Sequence, residues 1–69
     1  MEEIIFLVEE SNEGGYIAKA LTESIVTEAD TVEELKEMVK DAVHCHFDSD
    51  AMRPKMIRLH FVRDEVFAA

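Results

Sequence analysis

Apolar positions alternate through the first ten residues and mark a strand over Glu3–Glu10, with Ile4, Phe6 and Val8 on one side and Ile5 and Leu7 on the other. A strand apolar on both faces is predicted to be central in its sheet, or covered on its second face. Ser11-Asn12-Glu13-Gly14 is a turn cluster. A second strand is predicted over Gly15–Leu21, carrying Tyr16, Ala18 and Ala20 on one face and Ile17, Lys19 and Leu21 on the other. Two such runs joined by a short Asn/Gly loop predict an antiparallel hairpin. The only two glycines, Gly14 and Gly15, stand where that hairpin needs positive φ. Thr22-Glu23-Ser24 reads as a turn and Ile25–Ala29 as a short third strand.

The period then changes. From Thr31 onward, Val32, Leu35, Val39, Ala42, Val43 and His46-Phe47 recur at helical spacing, with Met38 beside them at the core or its edge. Glu33, Lys36, Glu37, Lys40, Asp41 and His44 fill the opposite face. Thr31 followed three residues later by Glu34 predicts a capping box, with a hydrogen bond in each direction. Asp48-Ser49-Asp50 ends the helix, and Pro54 blocks its continuation and suits the start of a strand. Lys55–Arg63 alternates again: Ile57, Leu59 and Phe61 face inward, while Arg58, His60 and Arg63 lie on a polar side interrupted by Met56 and Val62. The predicted fold is α+β, in the order β-β-β-α-β, an antiparallel-rich sheet with one helix on one face and a single domain over residues 1–69. One helix covers one face, so apolar residues of the other face and of the tail Val66-Phe67-Ala68-Ala69 stay uncovered, and a patch of that kind marks an interface.

Charge sharpens the picture more than size does. Seven basic residues against sixteen acidic ones give a net charge of −9. That argues against binding a nucleic-acid backbone or an anionic membrane surface, and favours a basic protein partner. An apolar fraction of 48% fits a folded chain. A domain of this size buries only about 60% of the surface its unfolded chain exposes, which makes self-association a natural source of stability. No apolar run reaches the roughly 20 residues of a membrane span, the N-terminus lacks a basic leader, and Cys45 is the single cysteine, so a cytoplasmic location is expected.

Candidate chemistry is sparse. His44-Cys45-His46 has metal-ligand residue types, but neighbouring helix positions diverge and no second ligand pair accompanies them. No carboxylate pair stands out among the sixteen acids, and Gly14-Gly15 precedes a strand rather than a helix, so it is not a phosphate loop. No catalytic, cofactor-binding or metal-binding residue is expected, and no cofactor. Tyr16, beside the glycines, reads either as a contact aromatic or as cross-strand packing.

Three segments resemble the HicB-like antitoxin family: Gly15-Tyr16-Ile17-Ala18, then Thr27-Glu28-Ala29-Asp30-Thr31-Val32-Glu33-Glu34-Leu35, then Lys40-Asp41-Ala42-Val43. The first strand, Ile5–Glu10, sits where that family places its own, so the resemblance runs over about the first 47 residues. It differs in carrying Leu21-Thr22-Glu23-Ser24 where a Pro-Gly usually precedes the third strand. The resemblance implies a partial RNase-H-like sheet without catalytic carboxylates. It also implies a role as inhibitor of a small basic RNase toxin. Many members add a DNA-binding domain, for which 69 residues leave no room, so no direct nucleic-acid contact is expected. The expected function is a non-enzymatic binding module that associates with itself, as dimer or tetramer, and with a protein partner. Its interface is expected to use Ile5, Leu7, Tyr16, Met56, Arg58, Val62, Val66 and Phe67. The alternatives are an enzyme or enzyme subunit, such as a metal-dependent nuclease, and a small-ligand-binding module.

Overall fold

A computed structural model describes residues 2–69. The elements are β1 (Glu3–Glu10), β2 (Tyr16–Ala20), β3 (Val26–Ala29), α1 (Val32–His46) and β4 (Met56–Val62). They form the expected β-β-β-α-β succession, and the strands make one mixed sheet in the order β3-β2-β1-β4. β1 is central: it pairs antiparallel with β2 and parallel with β4, while β2 pairs antiparallel with β3. Three strands are shorter than the periodicity predicts, because β2 omits Gly15 and Leu21, β3 omits Ile25 and β4 omits Lys55 and Arg63.

The hairpin β1–β2 closes through Ser11, whose N–H donates to the Gly15 carbonyl at 3.0 Å, while Gly14 N–H donates to the Ser11 carbonyl at 3.1 Å. Both glycines adopt positive φ, +96° at Gly14 and +81° at Gly15, as the turn requires. A Cβ at Gly15 would lie 2.7 Å from the Ala29 carbonyl oxygen, so this position also needs a bare backbone where β3 ends beside the turn.

Thr31 caps α1: its Oγ1 accepts from Glu34 N–H at 3.1 Å. The return bond of the predicted capping box, from Thr31 N–H to the Glu34 carboxylate, is not formed. The helix stops at His46, with Phe47 as its buried C-cap, ahead of the predicted Asp48-Ser49-Asp50 stop. Arg53 secures this end by donating to the carbonyls of Phe47 (3.0 Å) and His44 (3.2 Å), which have no partner within the helix. The same guanidinium pairs with Asp50. Pro54 follows, buried, and Met56 N–H starts β4 by donating to the Glu2 carbonyl at 3.0 Å.

The core lies between α1 and one face of the sheet. Leu35, Val39, Val43 and Phe47 meet Ile4, Phe6 and Val8 of β1, Ala18 of β2 and Ile25 before β3. α1 lies over β3 and β2. Ile57 and Leu59 of β4 are on the same face but only half-buried, and Phe61 is exposed. Met38, expected at the core or its edge, is instead 49% exposed, because it projects past the β3 edge. His46 is likewise exposed, although its ring still meets Phe47 edge-on with centroids 5.0 Å apart, and its Nε2 lies 3.1 Å from Glu23 Oε2.

Candidate functional site

The sheet register distributes the expected interface residues among three places. Ile5, Leu7, Met56, Arg58 and Val62 fall on the face away from α1, since Glu3 aligns with Met56, Ile5 with Arg58, Leu7 with His60 and Glu9 with Val62. Ile17 and Val26 join them from β2 and β3, through the alignments Glu9–Ile17 and Lys19–Val26. This open face therefore mixes apolar residues with polar ones, since Lys19 and His60 flank Leu7. It is crossed at one end by a bidentate ion pair in which Arg58 Nε and Nη2 reach the two Glu3 carboxylate oxygens, each at 3.0 Å. The hydrogen bond from Arg58, together with its charge, holds the Glu3 carboxyl below the usual glutamate range. Val66 and Phe67 lie in neither sheet face; they are on the irregular segment after β4 and are almost wholly exposed.

Tyr16 is separate from both groups, on the helix-side face. Its ring meets Phe61 of β4 edge-on, with centroids 6.4 Å apart, across the end of β1. It thus packs across the sheet and still presents one side outward. That side lines a hollow of about 640 Å³ bounded by the hairpin turn, the β3 end and the first turns of α1. Four acidic residues line it on the helix side: Glu13 from the turn, Asp30 after β3, and Glu34 and Glu37 from α1; Glu28 borders it too, but its alignment with Ile17 puts its side chain on the opposite face. Met38 supplies its one large apolar wall beside Tyr16. The group has the chemistry to receive a cation: carboxylates to offset the charge, an aromatic face for a cation–π contact, and a thioether that adapts to an alkyl stem.

Sequence reasoning found Tyr16 and missed the four acids. They come from three segments whose meeting depends on the β2–β3 register, and no single spacing announces them. A partial signal existed in Glu34, Glu37 and Met38, which cluster at i, i+3 and i+4 on one helix flank.

His44, Cys45 and His46 are all exposed at the end of α1. Among the described residues, no group of three or more His, Cys, Asp or Glu side chains converges to hold a metal ion. Among the same residues, no helix is long and apolar enough to cross a membrane.

No protein-family model matches the chain, and no solved structure does. Two curated proteins are similar to it. A "UPF0150 protein" of Archaeoglobus fulgidus is 60% identical over 53 residues, 77% of either chain. A "UPF0150 protein" of Thermotoga maritima is 52% identical over 67 residues, which cover 97% of this chain and 93% of that one. Identity at this level along nearly the full length of both chains means that the protein belongs to the UPF0150 family.

Proposed function

We propose that the protein is a non-enzymatic binding module of the HicB-like antitoxin type, which associates with itself and receives a small basic protein, of the RNase-toxin kind, in the acidic hollow beside Tyr16. The observation that carries this reading is the gathering of Glu13, Asp30, Glu34 and Glu37 around one aromatic and one thioether wall. Four carboxylates around a single hollow repel one another, and a lysine or arginine from a partner relieves that repulsion. The net charge of −9 draws such a partner in and raises its association rate. The uncovered apolar face supports the self-association half of the proposal.

The test is affinity purification of the tagged chain from its native cells, with retained proteins identified by mass spectrometry. The expected result is a small partner of basic isoelectric point, released as salt shortens the screening length to about 3 Å near 1 M. It should also be lost from a Glu34→Lys/Glu37→Lys variant that folds normally. Retention of only neutral or acidic proteins would overturn the reading, as would a basic partner held equally well by the double variant. Incubation with single-stranded RNA and Mg²⁺ or Mn²⁺ addresses catalysis directly: cleavage abolished by chelator would replace the binding role with an enzymatic one.

A further inference from the structure

The second flank of α1 has the opposite character to the first. Because the helix lies over β3 and β2, it leaves a groove of about 350 Å³ between itself and β4. Its floor is apolar, formed by Val39 and Val43 of the helix and Ile57 and Leu59 of the strand. Its rim is cationic: Lys36, Lys40 and Lys55, three of the four lysines in the chain, border it. Concentration of positive charge on one apolar groove is unexpected in a chain of net charge −9, and it selects an occupant with acidic and apolar residues side by side.

The chain carries such a segment. After β4, Arg63-Asp64-Glu65-Val66-Phe67-Ala68-Ala69 has no regular structure, and Val66 and Phe67 are 97% and 87% exposed. The molecule measures 51 Å along its longest axis and 20 × 18 Å across. The longest strand, at roughly 3.3 Å per residue, accounts for about 27 Å of that axis. The remainder matches an extended arm continuing beyond β4. The arm cannot readily fill the groove of its own molecule. The groove runs beside Pro54 to Leu59, the arm leaves from Val62 at the other end of the strand, and no glycine or proline separates Val62 from Val66 to reverse it.

We infer that two copies exchange arms: Phe67 and Val66 of each fill the apolar floor of the other's groove, with Asp64 and Glu65 against its lysine rim. A two-fold axis makes the two exchanges identical, so the assembly closes as a dimer. Each groove is then complete only when the other copy supplies its lining. This rests on the self-association part of the proposed function and is independent of the acidic hollow.

Sedimentation equilibrium of the full chain tests it, with circular dichroism to verify folding. The wild type should dimerise, and Phe67→Asp, which alters a side chain exposed in the monomer, should weaken the dimer at least tenfold with melting of the monomer unchanged. Lys36→Glu/Lys40→Glu should weaken it comparably, and adding Asp64→Lys/Glu65→Lys to that variant should restore it. A dimer indifferent to Phe67→Asp, or a charge exchange without rescue, overturns arm exchange and leaves self-association through the open sheet face standing. A wild type that is monomeric at high micromolar concentration overturns both arm exchange and self-association, while the basic-partner reading keeps its own test.

Discussion

Phe6 and Leu7 are neighbours in β1 and share its hydrogen-bonded ladder, yet they face different surroundings. Phe6 is 0% exposed beneath α1, whereas Leu7 is half-covered on the open face between Lys19 of β2 and His60 of β4. Both faces of the central strand carry large apolar residues, and only one has a cover. A chain with one helix and four strands closes one layer interface. The second apolar face is surplus to the folded monomer, which is the composition expected of a surface that meets another protein. Loss of side chains from the two faces should therefore have unequal consequences, the covered face governing stability and the open face governing association.

The comparison breaks first if Phe6→Ala is tolerated. Truncating a buried Phe costs about 3–5 kcal/mol, against a total of roughly 3–10 kcal/mol for a chain of this length. Urea unfolding should show a largely unfolded or barely stable variant. Next is the turn that sets the register separating the two faces. Gly15→Ala adds a clash with the Ala29 carbonyl to the left-handed backbone cost, for about 2 kcal/mol or more, while Gly14→Ala meets open space and should lose about 1 kcal/mol. Equal losses at the two glycines would show that the turn, and not its contact with β3, is what matters. Thr31→Ala removes the one side-chain bond at the start of the covering helix and should lower stability by about 1 kcal/mol in the same measurement.

On the open face the stability effects shrink. Leu7→Ser should cost less than about 1 kcal/mol in unfolding, and a loss approaching that of Phe6→Ala would mean that the two faces are not distinct. The smallest effect belongs to the Glu3–Arg58 pair. The depressed Glu3 value means that the pair stabilises the fold above the ordinary glutamate range, and that this contribution is lost as pH falls through the lowered folded value. Because the pair is exposed, the change in melting temperature should be slight and should fade with added salt. The sharper readout is an NMR titration in which Arg58→Met returns the Glu3 midpoint upward to the ordinary value.

Much of this arrangement was legible in the chain. Alternation showed β1 to be apolar on both sides, hence central or covered twice, and it is central; the glycine pair located the hairpin, and Thr31 located the helix start. Each is a local signal, readable because side-chain period and turn stereochemistry act over a few residues. What could not be read depends on packing at a distance. The pattern in Lys55–Arg63 specifies a strand but not that it runs parallel to β1 on the side opposite β2. Nor does it reveal that α1 favours the β3 side, which exposes Met38 on one flank and opens the lysine-rimmed groove on the other. The bonds from Arg53 to the His44 and Phe47 carbonyls likewise arise only from the path of the chain after the helix. The acidic hollow was illegible for the same reason, since its parts become neighbours only through strand register.

The parallel pairing of β1 with β4 also bears on synthesis. Glu3 aligns with Met56, so one side of the central strand waits for a segment far downstream to leave the ribosome. The β1–β2–β3 meander and the helix can assemble earlier, leaving the β1 edge bare in the nascent chain. Sequence-distant pairing of this kind slows folding, and an unpaired strand edge is a template for association with other chains. The late arrival of β4 thus leaves the unfinished polypeptide with a strand edge that the folded protein covers.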